Sequence, residues 1–134
     1  MNSGIMLAVL RIVSGLLFLE HGLQKITGFP AWPDPTRAIP LNTLPGAAGY
    51  IELGCGLLIA IGLFTRAAAF LASGTMAVAY FYWHQPQNLY PVNNLGDAAI
   101  LYCFIFLYLV FAGPGPLSID GARAGKAAPP PPQD

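Results

Sequence analysis

Apolar residues dominate four stretches of the chain, and polar or proline-bearing segments separate them. A membrane-spanning helix needs about 20 mostly apolar residues. The pattern therefore predicts four helices, over residues 5–23, 47–64, 67–83 and 95–112. The predicted fold class is all-α: an integral membrane protein whose helices form an antiparallel four-helix transmembrane bundle.

The connections between these stretches predict how the helices run. Thr65 and Arg66 form a tight turn, so the second and third helices should be antiparallel. The connection over residues 26–46 contains several prolines and resists regular helix. Residues 1–120 are the predicted membrane domain. Residues 121–134, which include a run of prolines, are predicted to be a disordered cytoplasmic tail.

Composition supports a membrane location. The 134 residues are 55% hydrophobic and only 9% charged, whereas soluble domains average about 25% charged residues. The formal net charge of +0 gives no electrostatic footprint for nucleic acid. No basic segment precedes the first apolar stretch and no small-residue cleavage site follows it, so we expect that helix to stay in the membrane.

The distribution of basic residues predicts the orientation. Four spans would place both termini on one side, together with Arg66, Arg123 and Lys126. Lys25 and Arg37 would lie on the other side. Because cytoplasmic segments carry the excess of Lys and Arg, we expect both termini in the cytoplasm of a bacterial-type inner membrane.

Several ionisable residues lie within or beside the apolar stretches. Such residues are costly in lipid and normally face a bundle interior. An up-and-down bundle would bring His21, Lys25, Glu52 and Asp97 to one membrane face, where they form the predicted proton-handling pocket. Glu20 points away from that face of the first helix. Secondary candidates are Arg11, Tyr80, His84 and Asn94.

A purely structural interpretation of these charges stays open. Lys25–Asp97 or His21–Glu52 pairs would lock the helices together without further function. Arg11 would either snorkel to the cytoplasmic interface or point inward in a structural role.

Cysteines, histidines and small residues allow further interpretations. Cys55 and Cys103 lie at similar depth and form either a redox pair or buried packing. A haem held by His21 and His84 is an alternative that no other sequence feature supports. The sequence contains no CxxC motif, so it does not indicate a zinc site. Small residues at four-residue spacing predict close helix packing: Gly56 and Ala60, then Ala69, Ser73 and Ala77.

The motifs around these positions resemble the DoxX family of small four-helix membrane proteins, over about residues 5–120. The family usually has Glu after the glycine of its last motif, where this chain has the shorter Asp97. The matching segments are Arg11 to Leu19 followed by His21-Gly22-Leu23-Gln24-Lys25, Glu52 to Leu58, Gly62-Leu63-Phe64-Thr65-Arg66, Asn93 to Ala99, and Gly113 to Asp120.

The resemblance implies an inner-membrane location, four spans and association with redox enzymes; the family takes its name from a subunit of thiosulfate:quinone oxidoreductase. We therefore expect a quinone-interacting accessory subunit of a redox complex. His21 would exchange protons, Lys25 would stabilise a developing anion, and Glu52 or Asp97 would relay protons.

No intrinsic cofactor is evident in the sequence, and quinone is the candidate ligand. The expected partners are the lipid bilayer, subunits of a membrane redox complex and further copies of this chain. The alternative is a non-enzymatic membrane scaffold, an assembly subunit or a small-molecule carrier.

Overall fold

The structure, a computed structural model, describes residues 2–127, and these are helical without any strand. The two longest helices are α1 (Ser3–Thr27) and α2 (Leu44–Ile61). Helix α3 (Thr65–Ala79) continues into a π-helical turn (Tyr80–His84). A short α4 (Pro91–Asn94) precedes α5 (Asp97–Ala112), and α6 (Ile119–Ala127) follows.

Local signals explain where the first two helices begin and end. The Asn2 side chain accepts a hydrogen bond from the Ile5 amide, and the Thr43 side chain accepts one from the Gly46 amide. Both are N-caps. Gly28 and Gly62 adopt left-handed conformations and end the helices, at φ 75° and 70°. As a result α1 extends past the predicted end at residue 23, and α2 ends before the predicted residue 64.

The predicted disorder of residues 121–134 is wrong for the part that the structure describes. Residues 119–127 form α6, and the Ser118 hydroxyl accepts a hydrogen bond from the Gly121 amide at its start. Sequence inspection gave weight to the prolines and missed this N-cap. Residues 128–134, which include the proline run, lie outside the described residues.

Helices α1 and α2 pack closely where glycines of each helix meet the backbone of the other. A Cβ added to Gly15 would lie 2.7 Å from the Ala60 nitrogen, and one added to Gly56 would lie 2.5 Å from the Leu19 nitrogen. A Cβ on Gly22 would collide with the Leu53 backbone. Since residues late in α1 meet residues early in α2, the pair is antiparallel. The predicted packing role of Gly56 and Ala60 is confirmed.

Helix α3 packs chiefly against α5 through its small residues. Ala69 is fully buried, and Ser73 is buried with its hydroxyl donating to the Cys103 carbonyl oxygen at 2.8 Å. The other residue of the predicted stripe, Ala77, is only half-buried. The shared core between the two helix pairs is formed by Phe18, Cys55, Ile59, Met76, Phe106 and Leu109.

Two of these helices, Ser3–Thr27 and Leu44–Ile61, are long and apolar enough to cross a membrane. Helix α5 is also apolar but shorter. Large apolar side chains are exposed along α1 and α5, including Val13, Leu16, Leu101, Phe104 and Phe111.

Candidate functional site

A cavity of about 700 Å³ opens between the helices at the end that carries the α1–α2 loop. It is lined by residues 44–52 of α2, residues 70–79 of α3 and the first turns of α5. Its walls are mostly apolar and aromatic, as in sites for organic ligands. They include Phe18, Ile51, Met76, Val78, Ala99 and Tyr102.

An ion pair between Lys25 and Glu52 lies in the cavity wall. The Lys25 Nζ is 2.6 Å from the Glu52 Oε1, and the two side chains are 21% and 3% exposed. Gly22 allows α1 to approach α2 closely enough for this contact, because its missing Cβ leaves room for the Leu53 backbone. The structure therefore pairs Lys25 with Glu52, and neither predicted pair, Lys25–Asp97 or His21–Glu52, is formed as a salt bridge among residues 2–127.

The second oxygen of Glu52 is the unusual feature of this wall. Glu52 Oε2 is buried, and no donor in the described part of the chain reaches it. Buried polar atoms are nearly always hydrogen-bonded. An unpartnered carboxylate oxygen beside a cavity therefore indicates a place where a ligand can donate a hydrogen bond.

His21 lines the same cavity from α1. Its ring meets the Tyr102 ring edge-on, with centroids 6.0 Å apart. Tyr102 in turn stacks on Phe106, with centroids 5.6 Å apart. A protonatable imidazole thus lies beside an aromatic wall. The structure brings His21, Lys25 and Glu52 to one cavity.

Asp97 does not join them. It is the first residue of α5, its side chain is exposed, and Ala98 and Ala99 line the cavity in its place. Leu95 takes a left-handed conformation before Gly96, so α5 begins two residues later than predicted. Asp97 shares its face of α5 with Leu101, Phe104 and Tyr108, and all four are exposed, so the prediction that this face turns inward is wrong. At an N-terminus the charge of Asp97 is instead favourable toward the helix dipole.

The secondary candidates near this end have distinct places. His84 lines the cavity, and its Nδ1 lies 2.9 Å from the Asn94 carbonyl oxygen. Asn94 is buried and organises the α3–α5 connection through its side chain, which contacts the Asn88 carbonyl and the Gly96 amide. Tyr80 is half-buried, and its ring packs where a Cβ on Gly96 would lie.

The loop between α1 and α2 contributes three cavity residues that sequence reasoning did not assign to the site, Trp32, Arg37 and Ile39. The Arg37 guanidinium lies 4.5 Å from the centroid of the Trp32 ring, a cation–π contact. Both side chains line the cavity. Nearby, the Thr36 hydroxyl and amide donate to Asp34 and lower the pKa of that carboxyl group. The presence of Trp32 and Arg37 in the same loop was the sequence signal that could have assigned them to the site.

Arg11 lies away from this cavity and is fully buried, so the snorkelling interpretation is wrong. Its guanidinium joins α1 to the end of α2 and to the segment after α5. It donates to five carbonyl oxygens: Ile59 at 2.8 Å, Ala60 at 2.6 Å, Pro114 at 2.8 Å, Pro116 at 3.4 Å and Leu117 at 2.7 Å. The inward structural role is the one observed.

Asp120 is a structural residue of the same end that sequence reasoning missed. Its carboxylate accepts from the Phe64 amide at 3.0 Å, the Thr65 amide at 2.9 Å and the Thr65 hydroxyl at 3.0 Å. It therefore caps α3 from a distant part of the chain. Partial burial works to raise the pKa of Asp120, but these hydrogen bonds outweigh it and lower the pKa.

The cysteines and histidines form no metal centre in the described chain. Cys55 and Cys103 are both free thiols. Cys55 is buried in the core, and the Cys103 sulfur lies 3.5 Å from the Ser73 hydroxyl. No group of three or more His, Cys, Asp or Glu within residues 2–127 is arranged to hold a metal ion.

A family comparison gives the chain its place among known proteins. The DoxX family model matches residues 6–85. This chain belongs to the DoxX family. The matched segment contains His21, Lys25 and Glu52, so the ion pair and the imidazole of the cavity lie within the family domain of this DoxX protein.

Relatives of this DoxX protein span most of its length. An uncharacterized protein of Haemophilus influenzae is 39% identical over 85% of this chain and 87% of the relative. The inner membrane protein YqjF of Escherichia coli is 32% identical over 84% of this chain and 87% of its own. The inner membrane protein YphA of the same organism is 27% identical, covering 87% and 89%. No solved structure matches the chain.

Proposed function

We propose that this DoxX protein is a multi-pass inner-membrane protein that binds a quinone-class molecule in its cavity and serves a membrane redox complex as an accessory subunit. The observation that carries this proposal is the cavity itself. It combines an apolar, aromatic lining with an imidazole, an ion pair and an unpartnered carboxylate oxygen.

The membrane part of the proposal rests on the helix surfaces. Helices α1, α2, α3 and α5 would be the four spans of an antiparallel bundle, with the α3 span extended by the π-helical turn. Soluble monomers rarely expose large contiguous apolar patches, whereas this chain exposes Val13, Leu17, Phe70, Phe104 and Phe111. Two relatives that are named inner membrane proteins support the same location.

The ligand class follows from the cavity chemistry. Its volume of about 700 Å³ falls within the roughly 300–1,000 Å³ of small-molecule sites. Tyr102 and Trp32 are partly exposed aromatic side chains of the lining and can contact a planar ring. The ring nitrogens of His21 can donate or accept a hydrogen bond, and Lys25 places a positive charge beside Glu52. A quinone headgroup uses each of these features.

A binding titration with a cavity-filling variant tests this proposal. Gly74 lines the cavity, and a Cβ there would meet nothing within 4 Å, so Gly74→Phe should fill the space without forcing the helices apart. We expect it to abolish binding of a short-chain benzoquinone to the purified protein. Gly54→Phe is the matched control, because Gly54 also has open space around it but lies outside the lining.

His21→Gln extends the test to the proton-handling role. Glutamine keeps hydrogen-bonding capacity but cannot take up a proton as an imidazole can. We expect the variant to stay folded and to bind the quinone, while the redox complex assembled with it loses activity. Quinone binding that is equal in wild type, Gly74→Phe and Gly54→Phe would contradict the assignment of the cavity.

The rival function is a scaffold or assembly subunit without a ligand. The Lys25–Glu52 pair favours it, because a buried pair between α1 and α2 can serve to lock two helices. In that case neutralising both partners, Lys25→Met with Glu52→Met, would leave assembly of the partner complex intact and no variant would change ligand binding.

A further inference from the structure

Glu52 has a hydrogen-bonding capacity that its ion pair does not use. Lys25 Nζ donates to Oε1 at 2.6 Å, while Oε2 is buried and receives no donor from the residues that the structure describes. The Glu52 side chain is only 3% exposed and lines the cavity. The unpartnered oxygen therefore belongs to a residue of the cavity lining and is shielded from bulk water.

An ionised carboxylate only accepts hydrogen bonds. A ligand carbonyl placed against Oε2 would bring two acceptors together, which leaves both unsatisfied and is costly in a buried site. A ligand hydroxyl would donate to Oε2 and form a charge-assisted hydrogen bond. The wall at Glu52 thus distinguishes ligands by whether their polar end carries a donor.

We propose that Glu52 makes the cavity selective for the reduced form of its ligand, a quinol whose hydroxyl donates to Oε2, over the corresponding quinone. This inference rests on the proposed function, in which the cavity holds a quinone-class headgroup. The quinol ring occupies the aromatic part of the cavity lined by Tyr102 and Trp32, and one hydroxyl is directed to Glu52. The selectivity is an equilibrium property of binding and involves no transfer of electrons within this chain.

The selectivity has a consequence for the redox chemistry of the bound molecule. Tighter binding of the reduced form makes the bound quinone easier to reduce. A tenfold preference for the quinol corresponds to a rise of about 30 mV in the midpoint potential of a two-electron couple. The site would therefore hold the product of quinone reduction rather than its substrate.

Three ligands that differ only at the polar end test the inference. The purified full chain in detergent is titrated anaerobically with a benzoquinone bearing a ten-carbon tail, with its hydroquinone, and with the dimethyl ether of that hydroquinone. The ether keeps the ring and oxygens but has no donor. We expect the hydroquinone to bind at least about tenfold more tightly than either of the others.

Two variants assign the selectivity to Glu52. Glu52→Gln keeps the length of the side chain but supplies amide donors that suit a carbonyl, so we expect the preference to fall below about threefold. Glu20→Gln is the matched control, since Glu20 is an exposed carboxylate beside His21 that does not line the cavity. It should keep the full preference.

The outcomes separate this inference from the proposed function. Equal binding of the three ligands by the wild-type chain would overturn the role of Glu52 and leave the quinone-class cavity in place. A preference that persists in a folded Glu52→Gln variant would overturn it as well. Binding of none of the three ligands would overturn both proposals. The wild-type comparison needs no variant, so it holds even where Glu52→Gln fails to fold.

Discussion

The buried Arg11 and the half-buried Lys25 show how differently the same charge is satisfied within this chain. Arg11 is surrounded by backbone carbonyl oxygens, while Lys25 is paired with a carboxylate. The planar guanidinium of Arg11 presents five donors in a fixed fork and can therefore join several segments at once. Lys25 offers a compact charge, which suits a single partner beside a cavity. Arg11 is structural and Lys25 belongs to the candidate site.

The first prediction concerns Arg11. We expect Arg11→Lys to lower the free energy of unfolding by about 2 kcal/mol or more, because lysine keeps the charge but cannot reach the carbonyl oxygens of both chain segments at once. Denaturant unfolding in micelles would measure it. Arg66→Lys is the control: Arg66 is exposed and donates to the Val110 and Phe111 carbonyl oxygens. If Arg66→Lys lowered the free energy of unfolding as much as Arg11→Lys, the structural role given to Arg11 would be contradicted.

At the scale of elements, close packing of α1 on α2 creates the geometry of the ion pair. Gly22 lies one turn before Lys25 on α1 and meets the backbone of residues 49–53 on α2. This close approach brings Lys25 within reach of Glu52. The family motif around His21 therefore has a physical explanation, in which the glycine sets the helix distance and the lysine uses it.

The second prediction tests this packing. We expect Gly22→Ala to cost about 1–3 kcal/mol, because an added methyl group must push the Leu53 backbone away. Gly54→Ala on the exposed side of α2 meets nothing within 4 Å and should be neutral or stabilising by up to about 1 kcal/mol. Thermal unfolding of both variants provides the comparison. Equal stability of the two would show that the helices can separate freely.

The third prediction concerns the α3 cap and its pH dependence. Hydrogen bonds from Phe64 and Thr65 lower the pKa of Asp120 below its ordinary value of 3.8. Its stabilising contribution is therefore fully present above that value and is lost as the pH falls through the lowered pKa. We expect Asp120→Ala to cost about 1 kcal/mol at pH 7, a typical cap contribution.

Unfolding at pH 7 and at about pH 3 would measure this effect. The difference between wild type and Asp120→Ala should shrink at the lower pH. Glu20→Ala serves as the control, because Glu20 is an exposed carboxylate on α1 that takes no part in the α3 cap. A constant difference across both pH values would show that the charge of Asp120 does not matter for the cap.

At the scale of the whole molecule, the two ends have different chemistry. One end holds the cavity with His21, Lys25 and Glu52. At the other end, Arg11 joins α1 to α2 and to the segment before α6, and Asp120 joins α6 to α3. The end at α6 is thus held together by polar contacts with the backbone, whereas the cavity end keeps an open space between the helices.

The fourth prediction concerns topology. We expect the cavity end to face the periplasm and α6 to face the cytoplasm, because Arg66 and Arg123 lie at the α6 end. A membrane-impermeant maleimide should label Ala38→Cys in intact cells, and Gly125→Cys only after permeabilisation. Both positions are exposed. The opposite labelling pattern would invert the molecule in the membrane.

The sequence by itself determined the helical class, the approximate positions of the four apolar helices and the end at which His21, Lys25 and Glu52 meet. These follow from local periodicity, composition and connection length, which act within a few turns of chain. The family motifs likewise lie within short segments. The exact helix ends do not follow from this periodicity, because a left-handed residue such as Gly62 or Leu95 moves the end of a helix by two or three positions.

Only the tertiary structure decided which charges meet. Lys25 pairs with Glu52 rather than with Asp97 because Gly22 sets the distance between α1 and α2, while Asp97 lies on the exposed face of α5. Asp120 caps α3 from more than fifty residues away. Side-chain periodicity specifies a face of one helix, but a partner on another helix depends on separations and rotations that arise only when the helices pack.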